Sequence, residues 1–142
     1  MKTMRILLFT IFTLGLIAGC SQSESQTEIT LAQQVDNLIA EEKFNEAHVL
    51  LDEQPESEEI SAQREKVHLQ HGIHLIYSAD PASMRENATN ALREFIAVLE
   101  INPENEKARA ETEQILSIYR TFPDRQPAED VLDQLRELGF QI

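Results

Sequence analysis

Apolar and polar positions divide the chain into three regimes. Ile6 to Ala18 are thirteen residues without a charge, Ser21 to Glu28 contain no apolar residue, and from Thr30 onward apolar residues recur every three or four positions. That last spacing is the period of an amphipathic α-helix, not the alternation of a half-buried strand. It predicts six helices and no strand.

The first helix is predicted from Thr30 to Glu42, with Thr30 and Gln33 at capping-box spacing and Leu31, Val35, Leu38 and Ile39 on one face. Lys43 to Ala47 turns into a second helix, with Ala47, Leu50 and Leu51 inward and Pro55 as its stop. Short amphipathic helices joined this tightly fold back as an antiparallel hairpin. The third helix, Glu58 to Ser78, carries two apolar stripes, one of Ile60, Val67 and Leu75 and one of Leu69, Ile73 and Ile76. A helix apolar on two sides is sandwiched between neighbours, so this one is expected at the centre.

Asp80-Pro81 signals another helix start. The fourth helix begins somewhere in 83–90 and reaches Ile101, with Met84, Ala88, Ala91, Leu92, Phe95, Val98 and Leu99 on one wide face. Beyond Asn102-Pro103 the fifth runs to Thr121, with Ala108, Ile115, Leu116, Ile118 and Tyr119 as its apolar set. After a loop bracketed by Pro123 and Pro127, the last helix aligns Val131, Leu132, Leu135 and Leu138, and Gly139-Phe140 fits a glycine cap with its hydrophobic contact.

The start of the chain has a different meaning. Lys2 and Arg5 precede the apolar run, which is shorter than the roughly 20 residues that span a bilayer and has the build of a secretory signal. It ends in Leu16-Ile17-Ala18-Gly19-Cys20, which resembles the lipobox of bacterial lipoprotein signal peptides. The resemblance implies removal of residues 1–19 by cleavage between Gly19 and Cys20, with acylation of the Cys20 thiol and of the new amine. Each buried methylene is worth about 0.8 kcal/mol and stable anchoring takes more than one chain, so an acylated Cys20 would suffice to hold the bilayer. Ser21, where such proteins carry Asp when retained at the inner membrane, favours the outer membrane facing the periplasm. Residues 20–28 are then a lipidated cysteine and tether, reaching roughly 28 Å extended and about 16 Å as a coil. Residues 29–142 form the folded domain.

Loss of residues 1–19 takes Lys2 and Arg5 and no acid, so the 12 basic residues fall to 10 against 25 acidic ones, a formal charge of −15. Such a surface argues against nucleic acid, which demands basic patches, and favours basic or amphipathic peptide partners. Cys20 is the only cysteine, so no disulfide forms within the chain and packing alone must stabilise it.

Within the domain, Ala91-x3-Phe95 followed by Leu99 to Asn105 resembles the second helix and exit turn of a tetratricopeptide repeat. Lys43 to Ala47 resembles the turn of an earlier repeat, with Phe44 in the aromatic place. Phe44, Ala47, Ala91, Phe95 and Pro103 are the motif residues. The chain departs from the family in lacking its Trp and Leu-Gly pair, and Ala47 and Ala91 stand 44 residues apart where the family repeats at about 34. The resemblance implies an all-α fold of antiparallel helical hairpins stacked in a short array, and a protein-binding role.

Candidate chemistry is sparse. His68, His71 and His74 lie at i, i+3 and i+6, with directions spanning roughly 120° on a helix of 3.6 residues per turn. His71 and His74 are read as packed interface residues and His68 as partly exposed, the alternative being a shared metal such as zinc approached by His48 from elsewhere in the fold. The acidic runs 52–59 and 100–113 lack the Gly-containing alternation of a calcium loop. Neither a nucleophile elbow nor a phosphate-cradling glycine loop occurs. The sequence therefore predicts a non-catalytic envelope lipoprotein without a cofactor, an adaptor or scaffold for an envelope protein or peptide, with a small-ligand or metal-binding lipoprotein as the alternative.

Overall fold

The computed structural model describes residues 29–122 and 124–142. Among them are six α-helices and no strand: α1 Leu31–Ala40, α2 Phe44–Asp52, α3 Glu58–Tyr77, α4 Met84–Ile101, α5 Glu106–Arg120 and α6 Glu129–Glu137. The all-α array expected from the periodicity is what the chain forms.

Local chemistry sets the boundaries. Thr30 Oγ1 accepts from the Gln33 backbone N–H at 3.2 Å while Gln33 Oε1 accepts from the Thr30 N–H at 2.9 Å, so the capping box is complete. Ser57 and Asn105 cap α3 and α5 one way only, their side chains accepting from Ile60 N–H and Ala108 N–H. Asp80-Pro81 starts only a 3₁₀ turn, Pro81–Ser83, before α4 begins at Met84. At the other end of α6, Phe140 N–H donates to Leu135 C=O at 2.9 Å and Gly139 N–H to Arg136 C=O at 3.0 Å. This pair of hydrogen bonds goes with residue 139 at φ +87°, which glycine adopts freely.

Helix α3 is central. It packs against α1 and α2 on one side and most extensively against α4 on the other, while α5 and α6 both dock on α4. Two hydrophobic cores result. The smaller comprises Val35, Ala47, Leu51, Ile60 and Val67, flanked by Leu31, Leu38, Ile39 and Leu50. The larger is built from α4, α5, α6 and Phe140 around Phe95, Leu92, Leu99, Ile115, Val131 and Leu135, with Leu69, Ile73 and Ile76 of α3 packed against it. The two stripes of α3 thus serve two cores, with one exception: Leu75 joins the larger core rather than the stripe of Ile60 and Val67.

Two further expectations are corrected. Met84 and Ile118, placed by periodicity on core-facing stripes, are 68% and 54% exposed, whereas Ile96 is buried. Periodicity identifies an apolar face, not the element that covers it, and nothing among the described residues covers these two. The motif alanines fare differently: Ala47 and Ala91 are fully buried, where a larger side chain would separate the helices.

Close approach of α3 and α4 depends on Gly72. A Cβ at that position would lie 2.6 Å from Cε1 of Phe95, so the missing side chain is what seats the ring. Around Pro103, the amides of Asn102 and Asn105 both donate to Glu65 Oε1, at 2.9 and 2.7 Å, tying the exit turn of α4 to α3.

Candidate functional site

Two constellations stand out on this frame, one polar and one apolar. The polar one forms where α2, α3 and α4 meet. His48 comes from α2, His68 and His71 from successive turns of α3, and Glu94 from α4, one residue before the buried Phe95. His68 Nδ1 lies 2.7 Å from Glu94 Oε2, and His48 Nε2 lies 3.9 Å from the same oxygen. His71 Nδ1 approaches Glu94 Oε1 at 3.0 Å but too poorly aligned for a hydrogen bond, so that buried nitrogen has no directed partner. The rings of His48 and His68 are tilted against each other with centroids 4.4 Å apart, and Phe44 stacks on His71 at 4.7 Å, nearly parallel.

Burial and neighbours set the charges. Burial pushes the Glu94 carboxyl up, but the hydrogen bond from His68 and the approach of His71 outweigh it and hold the group at about 2. Burial lowers the His48 imidazole below its ordinary value, and the adjacent His68 lowers it further. Glu94 is therefore a carboxylate and His48 a neutral imidazole at neutral pH.

The histidines singled out by helical spacing thus part company. His68 and His71 join the cluster, together with His48. His74 turns away, with Nδ1 3.6 Å from Glu42 Oε1 and its ring 5.2 Å from Phe44. Glu94 was not legible as a partner: it is one of 25 acidic residues, and only the crossing of α3 over α4 brings it to the histidines. Phe44, an aromatic of the repeat-like turn, packs on His71 and His74 and is 6% exposed.

The apolar constellation is a groove of about 360 Å³ where the end of α3, the start of α4 and the end of α5 converge. Leu75, Ile76, Ala88 and Ile115 form its floor, and the exposed Met84, Ile118 and Phe122 its walls. Arg85 and Arg125 stand on its rim. Neither has an ion-pair partner among the described residues, although Arg125 lies over the Phe122 ring at 5.9 Å. In a chain of net charge −13, these two cations make the rim locally basic.

No family model matches the chain, and neither a curated protein nor a solved structure is similar to it.

Gly19 and Cys20, with the rest of the lipobox-like stretch, lie outside the described residues. Among the described helices none is long and apolar enough to cross a membrane.

Proposed function

We propose that this protein is a lipid-anchored envelope adaptor that binds an amphipathic helical segment of a partner in the groove between α3, α4 and α5. Acylated Cys20 sets its place at the outer membrane, and the folded domain, tethered by residues 21–28, presents the groove towards the periplasm. The domain has no catalytic role in this reading.

The observation that carries the proposal is the groove itself. Large apolar side chains that a monomer gains nothing by exposing are gathered in one concave site: Met84 at 68%, Ile118 at 54% and Phe122 at 51% exposure. Contiguous apolar patches of this kind mark interaction sites, while scattered exposed apolar residues do not. Helix-in-groove recognition uses such a surface, with the ligand's apolar residues one turn apart seated on the floor. Arg85 and Arg125 add a preference for a segment with acidic flanks. Overall negative charge would favour basic partners in long-range encounter, but contact at this groove is governed by the cations beside it. The tetratricopeptide-like motif residues agree with a binding scaffold.

The test is fluorescence anisotropy with labelled amphipathic helical peptides of equal apolar content and either acidic or basic flanks, titrated with the full-length chain in detergent. Saturable binding of the acidic-flanked peptide is expected. Ile118→Asp should abolish it, and the double variant Arg85→Glu/Arg125→Glu should exchange the preference. Ile118 and both arginines are exposed, so these variants keep the fold. Binding indifferent to Ile118→Asp, or absent for both peptides, overturns the proposal.

A further inference from the structure

We propose that His48, His68 and Glu94 bind a zinc-class divalent metal ion that fastens α2 and α4 to the central helix α3. The proposal is independent of the groove and of the lipid anchor.

The geometry comes first. One ligand atom from each of His48, His68 and Glu94 lies within 4.8 Å of the other two. Zinc bonded at about 2.0–2.1 Å to nitrogen and oxygen in a tetrahedron separates its ligand atoms by roughly 3.3 Å. Closing the site therefore asks for side-chain adjustments on the order of 1 Å. His71 Nδ1 lies 3.0 Å from the second Glu94 oxygen, beside this set and not within it.

The chemistry of the set is the second argument. Three imidazoles converge on one carboxylate, and its geometry does not satisfy all of them: His68 takes a short contact, His48 stands off at 3.9 Å, and His71 Nδ1 is left without a directed partner. Imidazole nitrogens and a carboxylate offer lone pairs, and a cation placed between His48, His68 and Glu94 accepts one from each. Nitrogen-rich donors select zinc, copper or nickel over magnesium or calcium, which require oxygen sets. Each of the three side chains is about one-fifth exposed, at 18–23%, so the site is sheltered yet open to an entering ion.

The ligands come from three helices, two of which serve different cores, so the set assembles only in the folded chain. Binding must then stabilise that fold.

Calorimetry with zinc chloride on the full-length, chelator-stripped chain in detergent tests this. One zinc per chain is expected, with a rise in melting temperature that EDTA reverses. His48→Ala, His68→Ala and Glu94→Gln should each weaken binding at least about 100-fold, because loss of even an outer-shell partner costs 10–100-fold. His74→Ala, which alters a histidine facing Glu42, should leave it unchanged. The absence of saturable binding, or binding undiminished in the His48→Ala/His68→Ala double variant, overturns the proposal. Should those variants fail to fold, X-ray absorption on the zinc-loaded wild-type chain decides: two or three imidazole ligands support the site, and one or none refutes it.

Discussion

The two sides of α3 solve the same packing problem with unequal means. On the α4 side, thirteen buried residues from three helices and the C-terminal segment, Phe95 among them, form one cluster, and the αL position that ends α6 is held by Gly139. On the α1–α2 side the buried set is five residues, and the equivalent position after α1 is held by Glu42 at φ +60°. The hydrogen bonds there are the same pair, Lys43 N–H to Leu38 C=O at 2.8 Å and Glu42 N–H to Ile39 C=O at 3.0 Å, but the residue has a side chain that the conformation disfavours. Polar ties supplement the smaller core. Lys66 pairs with Asp36 across to α1, and Arg64 pairs with Asp52 while donating to Leu51 C=O at the end of α2. Pairs this exposed contribute little to stability. The comparison teaches that the α4 side carries the fold and the α1–α2 hairpin leans on it through α3.

The largest effect that would break this comparison comes from the cores. Phe95→Ala should cost about 3–5 kcal/mol and lower the cooperative melt of the whole chain, whereas Leu51→Ala, in the smaller core, should cost about 2 kcal/mol. In native-state hydrogen exchange the amides of α1 and α2 should open at lower free energy than those of α4 and α5. Equal protection of the two sides would show that they form one cooperative unit and that the asymmetry has no energetic weight.

Next comes the seam between α3 and α4. Gly72→Ala gains about 1 kcal/mol of helix propensity but forces the Phe95 ring to move, an overpacking that costs about 1–3 kcal/mol. A net loss is expected in urea denaturation, and pairing it with Phe95→Leu should recover part of that loss. A stabilised Gly72→Ala variant would mean that the ring has room to yield. The smallest effect concerns the cap after α1: Glu42→Gly should stabilise the chain by about 0.5–1 kcal/mol, read as a shift of the urea midpoint at constant slope. No gain there would place the weakness of the α1–α2 side in its small core alone.

Much of the frame was legible before the fold. Caps at Thr30 and Gly139, breaks at Pro55 and Pro103, and the double-striped character of α3 are local or periodic features, and periodicity reports directly on which residues share a face. The candidate sites were legible only in part. His68 and His71 share a helix, and their spacing drew attention to them. The same spacing included His74, which belongs to a different contact, and omitted Glu94, which enters from another helix. Met84 and Ile118 read as core because they keep the helical period, yet they form the walls of an open groove.

The division has a physical cause. Helix formation, capping and the choice of apolar face depend on residues within a turn or two of one another, so the order of residues alone determined an all-α chain with α3 at its centre. Which nitrogen meets which carboxylate, and which apolar face is left uncovered, depend on the crossing of helices distant in sequence. Only the tertiary structure decided that Glu94 would lie among three histidines, and that the face formed by Met84, Ile118 and Phe122 would remain open to solvent.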